Sequence, residues 1–337
     1  MENINEVKTL LAVPKDIVIT THRNPDGDAI GSSLGLRHYL EQLGHTVKVV
    51  VPSESPNFLN WMPGATEIII YDLHQEYAKQ VLEKPDIVFC LDFNSLERID
   101  RMGELIAPLK AKKILIDHHL YPEPFYDYDL HDVTASSTSE LVFDFICHLG
   151  DKAKIDKTIG DCLFTGILTD TGSFKYSTSP KLFRLVADLI ELGVDDMRIQ
   201  DLVFNSMDEK HLRLIGLVLF DRMEVLDEFK TAIITLTKQD YEKFQISRGD
   251  TEGLVNFLLQ MKNITMAAFI HEQPTITKIS LRSKGNFSVQ EIARKHFKGG
   301  GHKNASGGYS YIGLRPTVNK FKQILPEYKE ALINNEL

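Results

Sequence analysis

Three cysteines in 337 residues, Cys90, Cys147 and Cys162, are too few and too irregularly spaced for a disulfide framework or a structural zinc knot. No apolar run approaches the roughly 20 residues that cross a bilayer. The stretch Met1 to Lys15 mixes Glu, Asn and Lys with a few Leu and lacks the apolar segment of a signal peptide. A cytoplasmic protein with no membrane partner is expected. No Gly-x-Gly-x-x-Gly is present either, so Gly31 and Gly35, four apart, point to close helix packing rather than to a dinucleotide fingerprint. Excess positive charge is also missing. The net charge of −9 excludes a general binder of long duplex DNA, which needs an extended basic surface.

What remains is an ordinary globular composition, 43% hydrophobic and 25% charged, long enough for two cores. We expect an α/β protein with a first domain over 1–185, a helical connector over 186–222 and a smaller mixed α/β domain over 223–337.

The chain is organised around Thr21-His22-Arg23-Asn24-Pro25-Asp26-Gly27-Asp28. A β-branched run, Ile17-Val18-Ile19-Thr20, precedes it, and a helical pattern, Ala29 to Leu43, follows. His45 to Val51 is the next strand, which makes a βαβ unit and therefore a parallel sheet. In such sheets the strand-to-helix loop at the C-terminal edge is where ligands bind. His22, Asp26 and Asp28 are three metal-ligand types on one bent loop. The same residues are good turn chemistry, with Asp28 as helix N-cap, and on this loop alone both readings stand.

Later elements repeat the pattern. Glu67 to Asp72 is a short strand. Asp86 to Asp92 is an apolar run ending in an acid, and continuous apolarity marks a strand buried on both faces. A second such run, Lys112 to Ile116, ends in Asp117-His118-His119. Thr134 to Glu140 is rich in hydroxyls before a helix; it is read as a cap, the alternative being hydroxyls and N–H groups that face a phosphate. Asp170 closes the helix Ile159 to Leu168, where an acid opposes the helix dipole unless something positive lies nearby. Lys181 to Phe220 is helical. Strands are then expected at Lys230–Leu236, Thr265–His271 and Thr275–Arg282, and helices at Lys238–Phe244, Thr251–Leu259, Val289–Phe297 and Thr317–Ile333.

From Lys278 to Lys303 there are seven Lys or Arg and one acid, Glu291. This local patch suits a small anion better than a long polymer; the alternative is a solvated basic face. Within it, Gly299-Gly300-Gly301-His302-Lys303-Asn304-Ala305-Ser306-Gly307-Gly308 reads as a loop whose backbone N–H groups meet a ligand. Arg282 and Lys284 stand on the preceding strand end.

Taken in order, His22…Asp26-Gly27-Asp28, Asp92, Asp117-His118-His119 and Asp170 in Thr-Asp-Thr-Gly resemble the motifs of the DHH phosphoesterase family. Arg282-Ser283-Lys284 and the Gly-Gly-Gly-His-Lys-Asn-Ala-Ser-Gly stretch resemble its associated C-terminal domain. The size and domain pair are most similar to the branch that hydrolyses very short oligoribonucleotides to mononucleotides and converts 3′-phosphoadenosine 5′-phosphate to AMP. The resemblance implies a cleft that closes over substrate and two divalent cations, with a hydroxide between them attacking phosphorus. It assigns His22, Asp26 and Asp92 to one cation, and Asp28, Asp92, His118 and Asp170 to the other, with Asp92 bridging. Carboxylates and imidazoles without thiolate favour Mn²⁺, with Mg²⁺ and Co²⁺ as alternatives. Asp117 would orient His118 or a neighbour, and His119 would face the phosphate as hydrogen-bond donor or leaving-group acid. Arg282, Gly299, Gly300, Gly301, His302 and Ser306 would hold the part of the substrate that is not cleaved. The expected ligands are short single-stranded RNA, dinucleotides and 3′-phosphoadenosine 5′-phosphate. Rival readings are a phosphodiesterase of cyclic or linear dinucleotides, an exopolyphosphatase or pyrophosphatase, and a nucleotide sensor without activity. Monomer and homodimer are both open. Two departures from the family pattern stand out: Lys298 where relatives often carry Gly, and Phe93, expected to reshape the pocket.

Overall fold

The apolar runs of the first domain become parallel strands because their residues are buried, and helices over 27–42, 75–82 and 101–106 carry the chain back between strands. The computed structural model describes residues 3–205, 208–247, 250–251 and 253–335. The chain divides into two compact units, Met1–Ser206 and Met207–Leu337. Residues 206 and 207 of the expected connector lie outside the described residues.

In the first unit the strands are β1 (Asp16–Thr21), β2 (Thr46–Val51), β3 (Ile69–Ile70), β4 (Ile87–Leu91), β5 (Lys112–Asp117) and β6 (Tyr128–His131). They form one sheet in the order β3-β2-β1-β4-β5-β6, with every neighbouring pair parallel. Its helices are α1 (Ile4–Leu10), α2 (Gly27–Gln42), α3 (Gln75–Leu82), α4 (Arg101–Ile106), α5 (Thr138–His148), α6 (Lys157–Asp170), α7 (Pro180–Glu191) and α8 (Asp196–Phe204). Alternate strand residues supply two cores. Ile17, Ile19, Val49, Phe89 and Ile116 pack with the buried sides of α2, α5 and α6. Val18, Val50, Val88, Cys90 and Leu115 pack with Ala78, Leu82, Met102 and Ile106 of α3 and α4.

Close packing of α2 on α6 rests on small residues, as the Gly31/Gly35 spacing predicts. A Cβ at Gly31 would lie 2.5 Å from the Cys162 carbonyl oxygen, and one at Gly35 would meet Leu163. The strand order reverses between β1 and β4. A crevice therefore opens at their C-terminal ends, where the first connection leaves to one side and the next to the other.

The second unit holds α9 (Glu209–Asp221), β7 (Met223–Leu226), β8 (Thr231–Leu236), α10 (Lys238–Lys243), α11 (Leu254–Leu258), β9 (Met266–Glu272), β10 (Thr277–Ser283), α12 (Val289–His296), β11 (Gly300–Gly301), β12 (Ala305–Ser310) and α13 (Leu314–Ile333). Of the helix expected over Thr251–Leu259, residue 252 lies outside the described residues. The sheet order is β11-β12-β10-β9-β8-β7. Only β8 and β9 run parallel, so the sheet is mixed. One face packs on α12 and α13, the other on α9 and α11.

Candidate metal centre

Two strand tips at the switch point carry the centre. Thr21 pairs with Leu91 in register, so the next residue on each chain, His22 and Asp92, leaves the sheet side by side. Asp92 takes a left-handed backbone, φ 64°, which turns the chain sharply at the tip of β4. A non-glycine residue holds that conformation only where its surroundings impose it.

The loop after β1 does two jobs with one residue. Asp26, not Asp28 as expected, is the N-cap of α2: its Oδ1 accepts from the N–H groups of Asp28 at 3.0 Å and Ala29 at 3.1 Å. Its Oδ2 stays on the His22 side, 3.9 Å from Nε2. Asp28 sits instead inside the first turn and is buried. The alternative between turn and ligand site therefore dissolves, because capping uses one oxygen of Asp26 and leaves the other.

The imidazoles face the carboxylates through Nε2. His22 Nδ1 lies 3.0 Å from the Arg23 carbonyl and His118 Nδ1 lies 3.2 Å from the Ala135 carbonyl. A carbonyl only accepts, so Nδ1 carries hydrogen in both rings and Nε2 is the ligating edge. His22 Nε2 is 3.3 Å from Asp92 Oδ2. His118 Nε2 is 3.5 Å from Asp92 Oδ1, 3.5 Å from Asp170 Oδ2 and 4.0 Å from Asp28 Oδ2. The two oxygens of Asp92 thus face two different groups of donors. One group is His22, Asp26 and Asp92; the other is Asp28, Asp92 and His118, with Asp170 beside it. Ligand atoms bound at about 2.0–2.2 Å to a common ion lie about 3–3.5 Å apart, so these separations fit a cation shell.

The electrostatics fit as well. Burial, and then the Asp92 and Asp170 charges, push the Asp28 carboxyl well above its usual range. Burial also works against the Asp92 carboxylate, but the His118 and His22 rings hydrogen-bonded to it hold its pKa well below that range. Burial disfavours the charged forms of His118 and His22, yet the carboxylates around them together outweigh it: Asp92 and Asp26 raise the His22 pKa, and Asp92, Asp170 and Asp28 raise that of His118 well above normal. The raised pKa values of His22, His118 and Asp28 mark a place that draws positive charge. Several buried carboxylates in one spot are tolerable only with such compensation.

Asp117 and His119 pair beside Asp92, with His119 Nδ1 3.6 Å from Asp92 Oδ1. His119 Nδ1 is 2.7 Å from Asp117 Oδ1, so Asp117 orients His119 rather than His118. Burial, and then the Arg98 guanidinium, hold the His119 pKa well below normal. Burial and the Asp92 charge raise that of Asp117.

In the second unit the glycine-rich stretch is not a free loop. Gly300 and Gly301 pair with Gly307 and Ser306, and β12 pairs in turn with β10, Arg282 opposite Ala305. Gly299 allows the backbones to meet, because a Cβ there would collide with the Gly307 carbonyl oxygen. Only His302-Lys303-Asn304 is a turn. Ser306 Oγ donates to the His302 carbonyl at 2.7 Å, and Asn304 Nδ2 donates to Ser283 Oγ at 2.9 Å, which locks it. Arg282 donates to the Leu281 carbonyl at 3.0 Å. Gly299, Gly300, Gly301, His302, Ser306 and Arg282 therefore lie on or beside three neighbouring strands, β11, β12 and β10. Lys298 has φ 48°, which explains why glycine suits that position. Phe93 is fully buried and stacks on Phe125, with ring centroids 5.7 Å apart, so it belongs to a core and does not reshape a pocket.

Residues missed in the sequence are Arg98 and the start of α5. The N–H groups of Thr138 and Ser139 donate to Asp28 at 2.6 and 2.9 Å, and Thr138 Oγ1 donates to Asp92 at 3.0 Å. The only signal in the sequence was more hydroxyls than a cap needs.

The model of the DHH family, N-terminal domain, matches residues 16–167, and that of the DHHA1 domain matches residues 229–333. A bifunctional oligoribonuclease and PAP phosphatase NrnA from Thermus thermophilus is 31% identical over 301 residues, which is 89% of this chain and 86% of that one. The crystal structure of an exopolyphosphatase-related protein from Bacteroides fragilis superposes with a TM-score of 0.93 at 43% identity, covering 98% of this chain and 97% of that one. RecJ from Thermus thermophilus in complex with Mn²⁺ shares the fold, with a TM-score of 0.57 at 14% identity over 97% of this chain and 55% of that one.

Proposed function

Because this chain belongs to the DHH family of phosphoesterases, we propose that it hydrolyses short oligoribonucleotides to mononucleotides and 3′-phosphoadenosine 5′-phosphate to AMP. The observation that carries the reading is the divided Asp92 carboxylate, with Oδ2 toward His22 and Oδ1 toward His118. One carboxylate facing two donor groups is the arrangement that two adjacent divalent cations require. The activities of the NrnA relative make short nucleotides the favoured substrates.

His22, Asp26 and Asp92 would hold one cation, and Asp28, Asp92, His118 and Asp170 the other. Carboxylates with imidazole point to Mn²⁺ rather than Mg²⁺, with Co²⁺ as an alternative. When bound, the cations supply the positive charge that activates water and offsets the charge building on the phosphoryl oxygens. Asp117 holds the His119 ring through Nδ1, and His119 would meet the phosphate or the attacking water. Arg282 and the 299–306 hairpin would hold the nucleotide portion that is not cleaved.

A single hairpin on an acidic chain gives no continuous basic track, so activity should be highest on substrates of about two to five nucleotides. A series of 5′-phosphorylated oligoadenylates from dinucleotide to decanucleotide, assayed with Mn²⁺, tests this. A maximum among the shortest supports the reading; a steady gain with length overturns it.

A further inference from the structure

The start of α5 holds more than a cap. Capping is done by Ser137, whose Oγ accepts from the Glu140 N–H at 3.1 Å. Thr138, the first residue of the helix, is fully buried and takes no part in that bond. Its two donors go to two different chain segments. The main-chain N–H reaches Asp28 Oδ2 at 2.6 Å, and Oγ1 reaches Asp92 Oδ1 at 3.0 Å. The first N–H groups of a helix have no partner within it, so they are free to fix an anion, and the Ser139 N–H completes the grip on Asp28 at 2.9 Å.

We propose that Thr138 is the positioning residue of one cation position only, that of Asp28, Asp92, His118 and Asp170. The assignment rests on the two-cation reading above. The hydroxyl on Asp92 Oδ1 holds the one oxygen that faces His118. Hydrogen bonds of this kind set the direction of a ligand's lone pairs, and losing one typically lowers metal affinity about 10–100-fold. Asp92 Oδ2, His22 and Asp26 receive no bond from Thr138, so the other position keeps its own supports.

The test is a Mn²⁺ titration of the metal-free chain, followed by calorimetry and by electron paramagnetic resonance of free Mn²⁺. Thr138→Val keeps the shape and the main-chain N–H but removes the hydroxyl; Thr138→Ser keeps the hydroxyl. Thr138→Ala is a second hydroxyl-free variant should the valine fail to fold, and thermal unfolding without metal checks each. The expected result is two equivalents in the wild type. One of them should weaken about 10–100-fold in Thr138→Val while the other stays within about threefold, and Thr138→Ser should restore both. Unchanged affinity for both equivalents in folded hydroxyl-free variants overturns the assignment. So does an equal loss in Thr138→Ser, which would make the role one of packing. A wild type that binds no Mn²⁺ defeats the metal centre itself, and this assignment with it.

Discussion

Asp92 shows how much one side chain is asked to do. It is almost wholly buried, its backbone is held in a left-handed conformation, and its two oxygens serve two sets of partners. Strain of this kind costs of order 1–3 kcal/mol and persists where the surroundings impose it. His271, in the second unit, makes the opposite use of burial. It stacks on Phe269 with centroids 4.4 Å apart and lies 2.6 Å from the Tyr241 hydroxyl through Nδ1. Burial, and then the Lys278 charge, lower its pKa to about 3. The native ring stays neutral, so above pH ~6.5 it makes no pH-dependent contribution. Below that pH the unfolded chain takes up a proton that the native state refuses. Stability should therefore fall by up to about 1.4 kcal/mol per pH unit toward pH 3. Amide exchange in β9 between pH 7 and 4 measures this. Protection should fall with pH in the wild type and fall less steeply in His271→Gln; parallel profiles would show that His271 does not carry the effect.

At the scale of elements, the centre depends on how closely α2, α5 and α6 approach. Gly166 of α6 lies where a Cβ would strike Ser139 Oγ and come within 2.7 Å of Asp28 Oδ1. Gly166→Ala should destabilise the chain by about 1–3 kcal/mol through overpacking and displace Asp28. Denaturant unfolding reads the first effect, and a loss of phosphoesterase activity larger than the unfolded fraction reads the second. Wild-type values for both would contradict the proposed dependence on this contact. Some of this was readable in the sequence and some was not. The runs Ile17–Thr20 and Ile87–Leu91 declared themselves because strands buried on both faces need uninterrupted apolar residues. β12 did not, because Gly307 and Gly308 carry no side chains to alternate, yet the close backbone approach is what makes it a strand. Tyr128–His131 was missed for a related reason: an edge strand paired on one side only has a single buried position, Leu130.

For the whole molecule, legibility follows distance along the chain. His22, Asp26 and Asp28 sit on one loop, and their types and spacing could be read directly. The exchange of the N-cap from Asp28 to Asp26 could not, because two acids flanking one glycine give the same local pattern either way. Thr138 was out of reach altogether, since its partners lie 110 and 46 residues away and only the folded sheet brings them to it. The two units also carry different residues: strand ends with acids and imidazoles in the first, a glycine-rich hairpin beside Arg282 in the second. The most direct measurement is AMP release from 5′-phosphorylated diadenylate in the presence of Mn²⁺, with Asp92→Ala alongside, and 3′-phosphoadenosine 5′-phosphate, cyclic di-AMP and pyrophosphate as parallel substrates. The account predicts AMP from diadenylate and 3′-phosphoadenosine 5′-phosphate with the wild type and none above background with the variant. Turnover of pyrophosphate or cyclic di-AMP alone, or equal AMP from Asp92→Ala, would contradict it.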